Sequence, residues 1–282
     1  MSPISEGVVP RAFPSELLWN LTLRNLRARF KRSVLGWLWS VINPATTIVV
    51  YAVVFSLFLR VEPPVGDPSG LHSYAFFLTT GLIPWMFTSN TLATVVGSLT
   101  SNEGLIRKVW FPRWVLPASE TLSALFSYLV ELGVLAALLI SPLAGVMVIP
   151  WLPVVALVVA LHFVFVLGLG LLVSPLNAYF RDVQHFTGIF LNIWFWGTPV
   201  LYPESLLLRS DGTSKELLGI PVTRLMDLNP MAHFVDSYRA LLYHLRAPDP
   251  VQWAWMALAA AAALTVGWAV FRRLEPRLAE EL

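Results

Sequence analysis

Six long apolar stretches divide this sequence, and they constrain its fold more than any other feature. They are residues 34–60, 73–98, 115–140, 151–174, 186–202 and 251–271. A helix needs roughly 20 mostly apolar residues to cross the hydrocarbon core of a bilayer. The fifth stretch is the shortest, and the prolines at its end are typical of a re-entrant or half-crossing segment beside a cavity. The pattern predicts an all-α polytopic membrane protein with six transmembrane helices.

The composition supports a membrane protein and argues against several other classes. Hydrophobic residues make up 56% of the chain and charged residues only 13%, which is about half the charged share of a soluble protein. The net charge of +2 is too small to indicate a nucleic-acid partner. The sequence contains no cysteine, no phosphate-binding G-x-x-x-x-G-K-[ST] motif and no histidines at metal-binding spacing. We therefore predict no catalytic site, no metal site and no cofactor bound by this chain.

The positions of lysine and arginine predict the orientation in the membrane. With the N-terminus inside, 13 of the 19 basic residues lie on the cytoplasmic side, in residues 1–33, 101–114, 177–186 and 272–282. Because cytoplasmic loops carry the excess of basic residues, both termini are predicted to be cytoplasmic. The predicted organisation is a cytoplasmic N-terminus (1–33), a transmembrane domain (34–271) and a cytoplasmic tail (272–282).

The segment before the first apolar stretch has the pattern of an amphipathic helix that starts near Pro14. At helical spacing, one face carries Trp19, Leu23, Leu26 and Phe30, and the neighbouring face carries Arg24, Arg27 and Lys31. Such a helix lies in the membrane interface, with its cations at the lipid headgroups. The alternative is a basic anchor that only fixes the orientation.

The segment 102–117 connects the second and third apolar stretches and mixes charged with apolar side chains. A short amphipathic helix there would offer both kinds of side chain to a partner protein, whereas the alternative is a solvated loop. The sequence pattern leaves these two interpretations equal.

Two ionisable residues lie inside apolar stretches, where they are costly unless they are paired or wet. Glu131 is near the middle of the third stretch. It is either a functional residue, or it is protonated and bonded to Tyr128 or a neighbouring helix. His162 is a lone histidine, for which a hydrogen bond to a neighbouring helix is more common than a catalytic role.

Six motifs in family order resemble the ABC-2 type permeases that export polysaccharides, O-antigens and teichoic acids. They are RARFKRSVLGWLWSVINP, GLIPWMFTSN, NEGLIRKVWFPRWVLP, NAYFRDVQH, TPVLYP and LNPMAHFVDSYRALL. The resemblance implies a transport subunit in the inner membrane that forms a homodimer and binds two copies of a separate ATPase, which holds ATP and Mg. It implies a polyprenyl-pyrophosphate-linked polysaccharide as the substrate. The alternative is an ABC-2 exporter of drugs or small lipids.

The resemblance also implies roles for particular segments. Residues 102–113 resemble the family's cytoplasmic coupling helix, which docks on the ATPase, and residues 203–250 resemble its re-entrant outer gate helices. The expected ATPase contacts are the charged Glu103, Arg107, Lys108 and Arg113 and the apolar Leu105, Ile106 and Phe111. Arg181 and Asp182, in the next cytoplasmic turn, either brace the same partner or form a helix-end ion pair.

A sugar polymer needs a wet path with aromatic faces, hydroxyls and amides, which gives a list of expected path residues. They are Tyr51, Phe55, Trp85, Asn90, Glu131, Asn192, Trp194, Trp196 and Tyr202. The alternative for the tryptophans and tyrosines is an interfacial belt. The arginine fork binds phosphate oxygens in pairs, so we expect a basic gate for the lipid headgroup at the cytoplasmic mouth. Its residues are Arg24, Arg27, Arg29, Lys31 and Arg32.

Overall fold

The computed structural model describes residues 14–30, 35–58, 60, 62, 64–140, 147–203, 207, 213–217 and 219–281, and most of these residues are helical. The helices in the six apolar stretches are α2 (Trp39–Val53), α3 (Tyr74–Val95), α5 (Val115–Ile140), α6 (Leu152–Tyr179), α7 (Val183–Trp196) and α10 (Pro250–Leu274). The remaining α-helices are α1 (Pro14–Phe30), α4 (Glu103–Lys108), α8 (Val222–Asp227), α9 (Pro230–Arg239) and α11 (Leu278–Glu281). Single π-turns extend α2 and α9, at Val54–Phe58 and Ala240–His244.

Among the described residues, three helices are long and apolar enough to cross a membrane. They are Val115–Ile140, Ile149–Tyr179 and Pro250–Arg277. Helix α3 has 22 residues but is less apolar, because it carries several threonines and Pro84. Helices α2 and α7, with 15 and 14 residues, are shorter than a full crossing of about 20 residues requires. The multi-helix membrane architecture is therefore supported, while six crossings stay a prediction.

Two predicted boundaries need correction, and both changes follow from helix-breaking residues. The fifth stretch, predicted as 186–202, contains a helix that ends at Trp196, where Gly197 is the C-cap and Pro199 follows. The expected coupling helix at 102–113 is helical only over Glu103–Lys108, and Val109 is already extended. The segment is thus a short helix followed by an extended connection, because Pro112 has no backbone N–H to continue the helix.

A cluster of buried apolar side chains, called the end cluster below, closes one end of the bundle. Its members are Leu21, Leu99, Ile106, Phe111, Val115, Leu116, Leu171, Ala178, Phe271 and Leu278. Residues from all four segments predicted to be cytoplasmic therefore meet at the same end of the molecule, as a common orientation requires.

The opposite end is tied together by hydrogen bonds from tyrosine hydroxyl groups. Tyr243 Oη donates to the carbonyls of Pro64 at 2.7 Å and Leu71 at 3.1 Å, and Tyr74 Oη donates to the carbonyl of Leu201. These residues flank or belong to the segments predicted to be outside, so the two predicted sides occupy opposite ends of the bundle.

The described part of the expected gate region, 203–250, contains a small hairpin, α8, and α9 with its π-turn. The hairpin pairs β1 (Glu216–Leu217) with β2 (Ile220–Pro221) in antiparallel fashion. Its turn includes Gly219 at φ +78°, a conformation that glycine adopts without steric cost. This two-residue ladder is a small correction to the all-α prediction. Leu206 and Leu208, part of the predicted gate, lie outside the described residues.

Helix α9 is buried in the bundle rather than lying on its surface. Phe234, Val235 and Tyr238 are fully buried, and α9 packs against α3, α6 and α10. The ring of Phe234 stacks on His162, in α6, with centroids 4.6 Å apart. A short helix that reaches the middle of a long apolar helix has the geometry expected of a re-entrant segment.

Helices α6 and α10 pack against each other along an extensive interface. A Cβ atom at Gly168 would overlap the backbone of Ala263, and one at Gly267 would overlap the carbonyl group of Gly168. Small residues at such a crossing let two membrane helices approach to backbone contact, so α6 and α10 act as one rigid pair.

Candidate functional site

A groove lined with aromatic and polar side chains runs between α2, α3 and α7. Its volume is about 380 Å³, and its lining includes four of the predicted path residues, Tyr51, Trp85, Asn192 and Trp196. Asn192 and Trp196 are four residues apart in α7, so they lie one helical turn apart on the same face. The groove therefore combines two indole rings, a phenol and an amide within one surface.

The aromatic rings of the groove brace one another. Trp85 meets Trp194 edge to face, with centroids 5.7 Å apart, and meets Phe195 at 5.5 Å. Tyr51 lies 6.5 Å from Phe195. Trp85 is only 5% exposed, whereas Trp196 is 58% exposed and meets the half-buried Phe195 edge to face at 5.4 Å, so Trp196 is the aromatic ring that the groove offers to a ligand. An aromatic face carries negative potential and attracts polarised C–H groups such as those of a sugar ring.

The other predicted path residues lie elsewhere or serve the packing. Phe55 stacks on Tyr74 at 5.6 Å, and Tyr202 Oη donates to the carbonyl of Trp196 at 3.0 Å. Asn90 and Glu131 do not line the groove; Asn90 is exposed on α3, and Glu131 is half-buried on α5.

Six of the ten residues that line the groove were not among the predicted path residues. They are Thr47, Leu82, Met86, Ser89, Leu191 and Phe195. Phe195 follows Asn192 by three positions, so helical spacing alone was sufficient to place it on the same face.

Helix α1 is formed as predicted, and it packs along α5. Asn25 Nδ2 donates to Ser119 Oγ at 3.2 Å, and Arg29 Nη1 donates to Ser127 Oγ at 3.5 Å. Arg24 Nη2 reaches Asn102 Oδ1, just before α4, at 3.0 Å. The packed face thus includes polar side chains that were not predicted to pack, while Trp19 of the predicted apolar face meets Phe126 of α5 at 5.9 Å and stays about half exposed.

The predicted headgroup gate is only partly within the described chain. Arg24, Arg27 and Arg29 are exposed on α1, and Lys31 and Arg32 lie outside the described residues. The three described arginines keep their charge at the surface, and their role stays a prediction.

The segment 103–113 presents different side chains from those expected. Glu103 and Arg107 form an ion pair at 2.9 Å, and Lys108 is exposed. Ile106 and Phe111 are buried in the end cluster and Leu105 packs against its edge, so two of the three expected apolar side chains face inward. The reason is that α1 and α11 cover this side of the segment.

The outward apolar surface of this segment is formed by Val109 and Trp110. They are 50% and 88% exposed. The sequence reasoning missed Trp110, because the extended stretch after Lys108, which turns it outward, was expected to be helical. Arg181 and Asp182 are exposed in the turn between α6 and α7.

Comparison with known proteins identifies the family. Residues 16–243 match the family model described as ABC-2 type transporter, which covers well over half of the chain. The chain belongs to the ABC-2 type transporter family. The groove, the buried α9 and the 103–113 segment are therefore features of an ABC-2 membrane protein.

Three full-length relatives of this ABC-2 protein are transport proteins. It is 32% identical over 268 residues to the O-antigen export system permease protein RfbA of Myxococcus xanthus, with 94% of this chain and 93% of the relative covered. It is 28% identical to RfbA of Klebsiella pneumoniae, with 95% of each covered. It is 25% identical to the polysialic acid transport protein KpsM of Escherichia coli, with 90% of this chain and 92% of KpsM covered.

In this ABC-2 protein, one amide joins α7 to the start of α9. Asn229 caps α9, since its Oδ1 accepts from the backbone N–H of Met231 at 3.0 Å, and the same oxygen accepts from Trp194 Nε1 at 2.8 Å. Its Nδ2 donates to the carbonyl of Gly197 at 2.9 Å. Trp194, predicted as a path residue, is thus a support for this joint.

A buried arginine forms a second connection between α9 and the turn after α7, and its burial was not predicted from the sequence. Arg239 is 4% exposed, and its guanidinium donates to the carbonyls of Pro199 and Val200, both at 2.6 Å. The guanidinium carbon also lies 4.0 Å from the centroid of the Phe77 ring. Arg239 therefore holds the turn after α7 against α9 and α3.

His162 is held by its neighbours, as expected. Its Nε2 lies 2.7 Å from Thr88 Oγ1, and its Nδ1 lies 3.4 Å from Tyr238 Oη. The imidazole is fully buried between α3 and α9, so it serves the packing of the bundle.

Proposed function

We propose that this chain is the membrane-spanning permease subunit of an ATP-driven exporter that moves a lipid-linked polysaccharide from the cytoplasmic to the outer face of the inner membrane. The observation that carries the substrate class is the groove of Tyr51, Trp85, Asn192 and Trp196. The names of the relatives, which concern O-antigen export and polysialic acid transport, agree with a glycan.

The proposed topology has six crossings and both termini in the cytoplasm. Its support is the meeting of the four basic segments at the end cluster, since the positive-inside rule places them on the same side. Helix α7 and the turn after it complete the fifth crossing, and α8 and α9 form the re-entrant outer gate.

The transport path is proposed to lie between two copies of the chain. The centre of one copy is filled by fully buried side chains such as Tyr128, Phe234 and Tyr238, so a polymer is better accommodated outside it. The groove opens on a surface where α2 and α7 expose apolar residues, including Val50 and Ile193. A homodimer would enclose the groove and cover these residues.

The energy source is proposed to be a separate ATPase, present in two copies, that carries ATP and Mg. Its docking site would be the 103–113 segment, which offers Lys108, the Glu103–Arg107 pair and the exposed Trp110. Tryptophan and arginine are the residues that dominate binding energy at protein interfaces. The arginines of α1 would receive the pyrophosphate headgroup at the same end.

The deciding experiment measures binding of a labelled polyprenyl-pyrophosphate-linked oligosaccharide to the purified permease–ATPase complex. We expect Trp196→Ala to weaken binding about tenfold, equivalent to about 1.4 kcal/mol. Phe190→Ala is the matched control, since it removes an exposed aromatic ring of α7 that lies outside the groove lining. ATPase stimulation by drugs, without binding of the oligosaccharide, would support the drug or small-lipid exporter instead.

A further inference from the structure

The chain after α10 folds back onto the proposed docking segment. A 3₁₀ turn, Glu275–Arg277, leads into α11, and Leu278 of α11 is fully buried in the end cluster together with Ile106 and Phe111. The segment predicted as a cytoplasmic tail is therefore packed against residues 103–113.

A reciprocal pair of hydrogen bonds joins the two segments. The backbone N–H of Arg113 donates to Glu275 Oε1 at 3.2 Å, and Arg113 Nη1 donates to the backbone carbonyl of Glu275. Each residue thus uses one main-chain and one side-chain group, which fixes both position and orientation. Arg113 is already engaged within its own chain, although the family resemblance implied a contact with the ATPase.

The hydrogen-bonded pair of Arg113 and Glu275, called the Glu275 clamp below, lies next to the ends of α6 and α10. Glu275 follows the last residue of α10, and the carbonyl of Leu274 accepts a hydrogen bond from Tyr179 Oη, at the end of α6, at 3.1 Å. A Cβ atom at Gly168 or at Gly267 would overlap the backbone of the other helix, so the two helices are in backbone contact. Arg113 is therefore connected to both helices by hydrogen bonds and close packing.

We propose that Glu275 is a positioning residue that transmits movement of the 103–113 segment to the α6–α10 pair. The inference rests on the proposed function, in which the ATPase docks on residues 103–113. The segment is covalently continuous with α5, and Arg24 ties its start to α1. The Glu275 clamp adds a route to the far side of the bundle, so that ATP-driven closure moves more than the adjoining helix.

The test compares Glu275→Ala, Glu275→Gln and the control Glu281→Ala in the full permease–ATPase complex. We expect Glu275→Ala to lower the polysaccharide exported per ATP hydrolysed about tenfold, equivalent to about 1.4 kcal/mol, while the ATPase still co-purifies. Glutamine keeps an oxygen that accepts from the Arg113 N–H, and the other bond uses a backbone carbonyl. Glu275→Gln should therefore restore most export. Glu281 is exposed in α11, which follows the turn that holds Glu275, so its alanine variant should behave as wild type.

Several outcomes would overturn the proposal. Normal export per ATP in Glu275→Ala would show that the clamp transmits nothing, and loss of the ATPase from that variant would assign Glu275 to docking or folding. Equal failure of the Gln and Ala variants would indicate that the charge matters rather than the hydrogen bond. A parallel Arg107→Glu, Lys108→Glu variant separates the two hypotheses: if it still binds the ATPase, the docking site itself is wrong.

Discussion

At the scale of single residues, two polar side chains, Asn229 and Arg239, determine how α9 is attached to the rest of the bundle. Asn229 holds the start of this helix to α7, and Arg239 holds its end to the turn after α7. A buried side chain that satisfies backbone carbonyls is costly to remove, since the carbonyls lose their partners. The two residues therefore act as fixed points on either side of the proposed gate.

We expect Arg239→Met to lower the stability of the purified protein by about 3 kcal/mol. Methionine has comparable length, but it leaves the carbonyls of Pro199 and Val200 without the guanidinium. The control is Arg246→Met, because Arg246 is exposed. The unfolding temperatures of the two variants are compared in detergent, with the loss of monodisperse protein as the signal. Equal unfolding temperatures for the two variants would contradict the joint.

At the scale of helices, the glycines at the α6–α10 crossing determine how closely these two helices approach. Neither Gly168 nor Gly267 has room for a side chain. Because dispersion forces decay steeply with distance, separation of the pair by even one methyl group loses contact along the crossing.

Gly267→Ala should therefore destabilise the protein, by about 2 kcal/mol. Gly133→Ala is the control, because a Cβ at Gly133 of α5 meets nothing within 4 Å and alanine favours the helix. When thermal unfolding is measured in detergent, only Gly267→Ala should have a lower transition temperature than the wild type. A destabilised Gly133→Ala would show that the effect is not specific to the crossing.

At the scale of the whole molecule, the proposed topology places the end cluster in the cytoplasm and the tyrosine-bonded end outside. The sequence has no cysteine, so single cysteines introduced at Lys108 and Ser214 can be labelled without background. In intact cells with a membrane-impermeant maleimide, we expect labelling at position 214 and, only after permeabilisation, at position 108. Both positions are exposed or half-exposed. Labelling of position 108 in intact cells would reverse the orientation.

The sequence predicted best those elements whose signal is local. The stretch 115–140 coincides with α5, and 251–271 lies within α10, because apolarity over twenty residues is readable without knowing any neighbour. The common face of Asn192 and Trp196 was likewise predictable from helical spacing.

The sequence could not predict features that depend on distant contacts. Ile106 and Phe111 face inward because α1 and α11, far away in sequence, cover them, and Trp110 faces outward as a result. Arg239 was counted among the outer charges, although its partners at Pro199 and Val200 bury it. Periodicity gives a helix its faces, but only the tertiary neighbours decide which face is covered.

The packing of Leu278 and Glu275 against residues 103–113 also has a consequence for biosynthesis. A ribosome makes the 103–113 segment long before it makes α10, and domains form in the order of synthesis. Until α10 has been inserted, Ile106 and Phe111 lack part of their covering and Arg113 lacks its partner. The surface proposed for the ATPase is therefore completed late, so that a nascent permease would recruit its motor only after the last helix has reached the membrane.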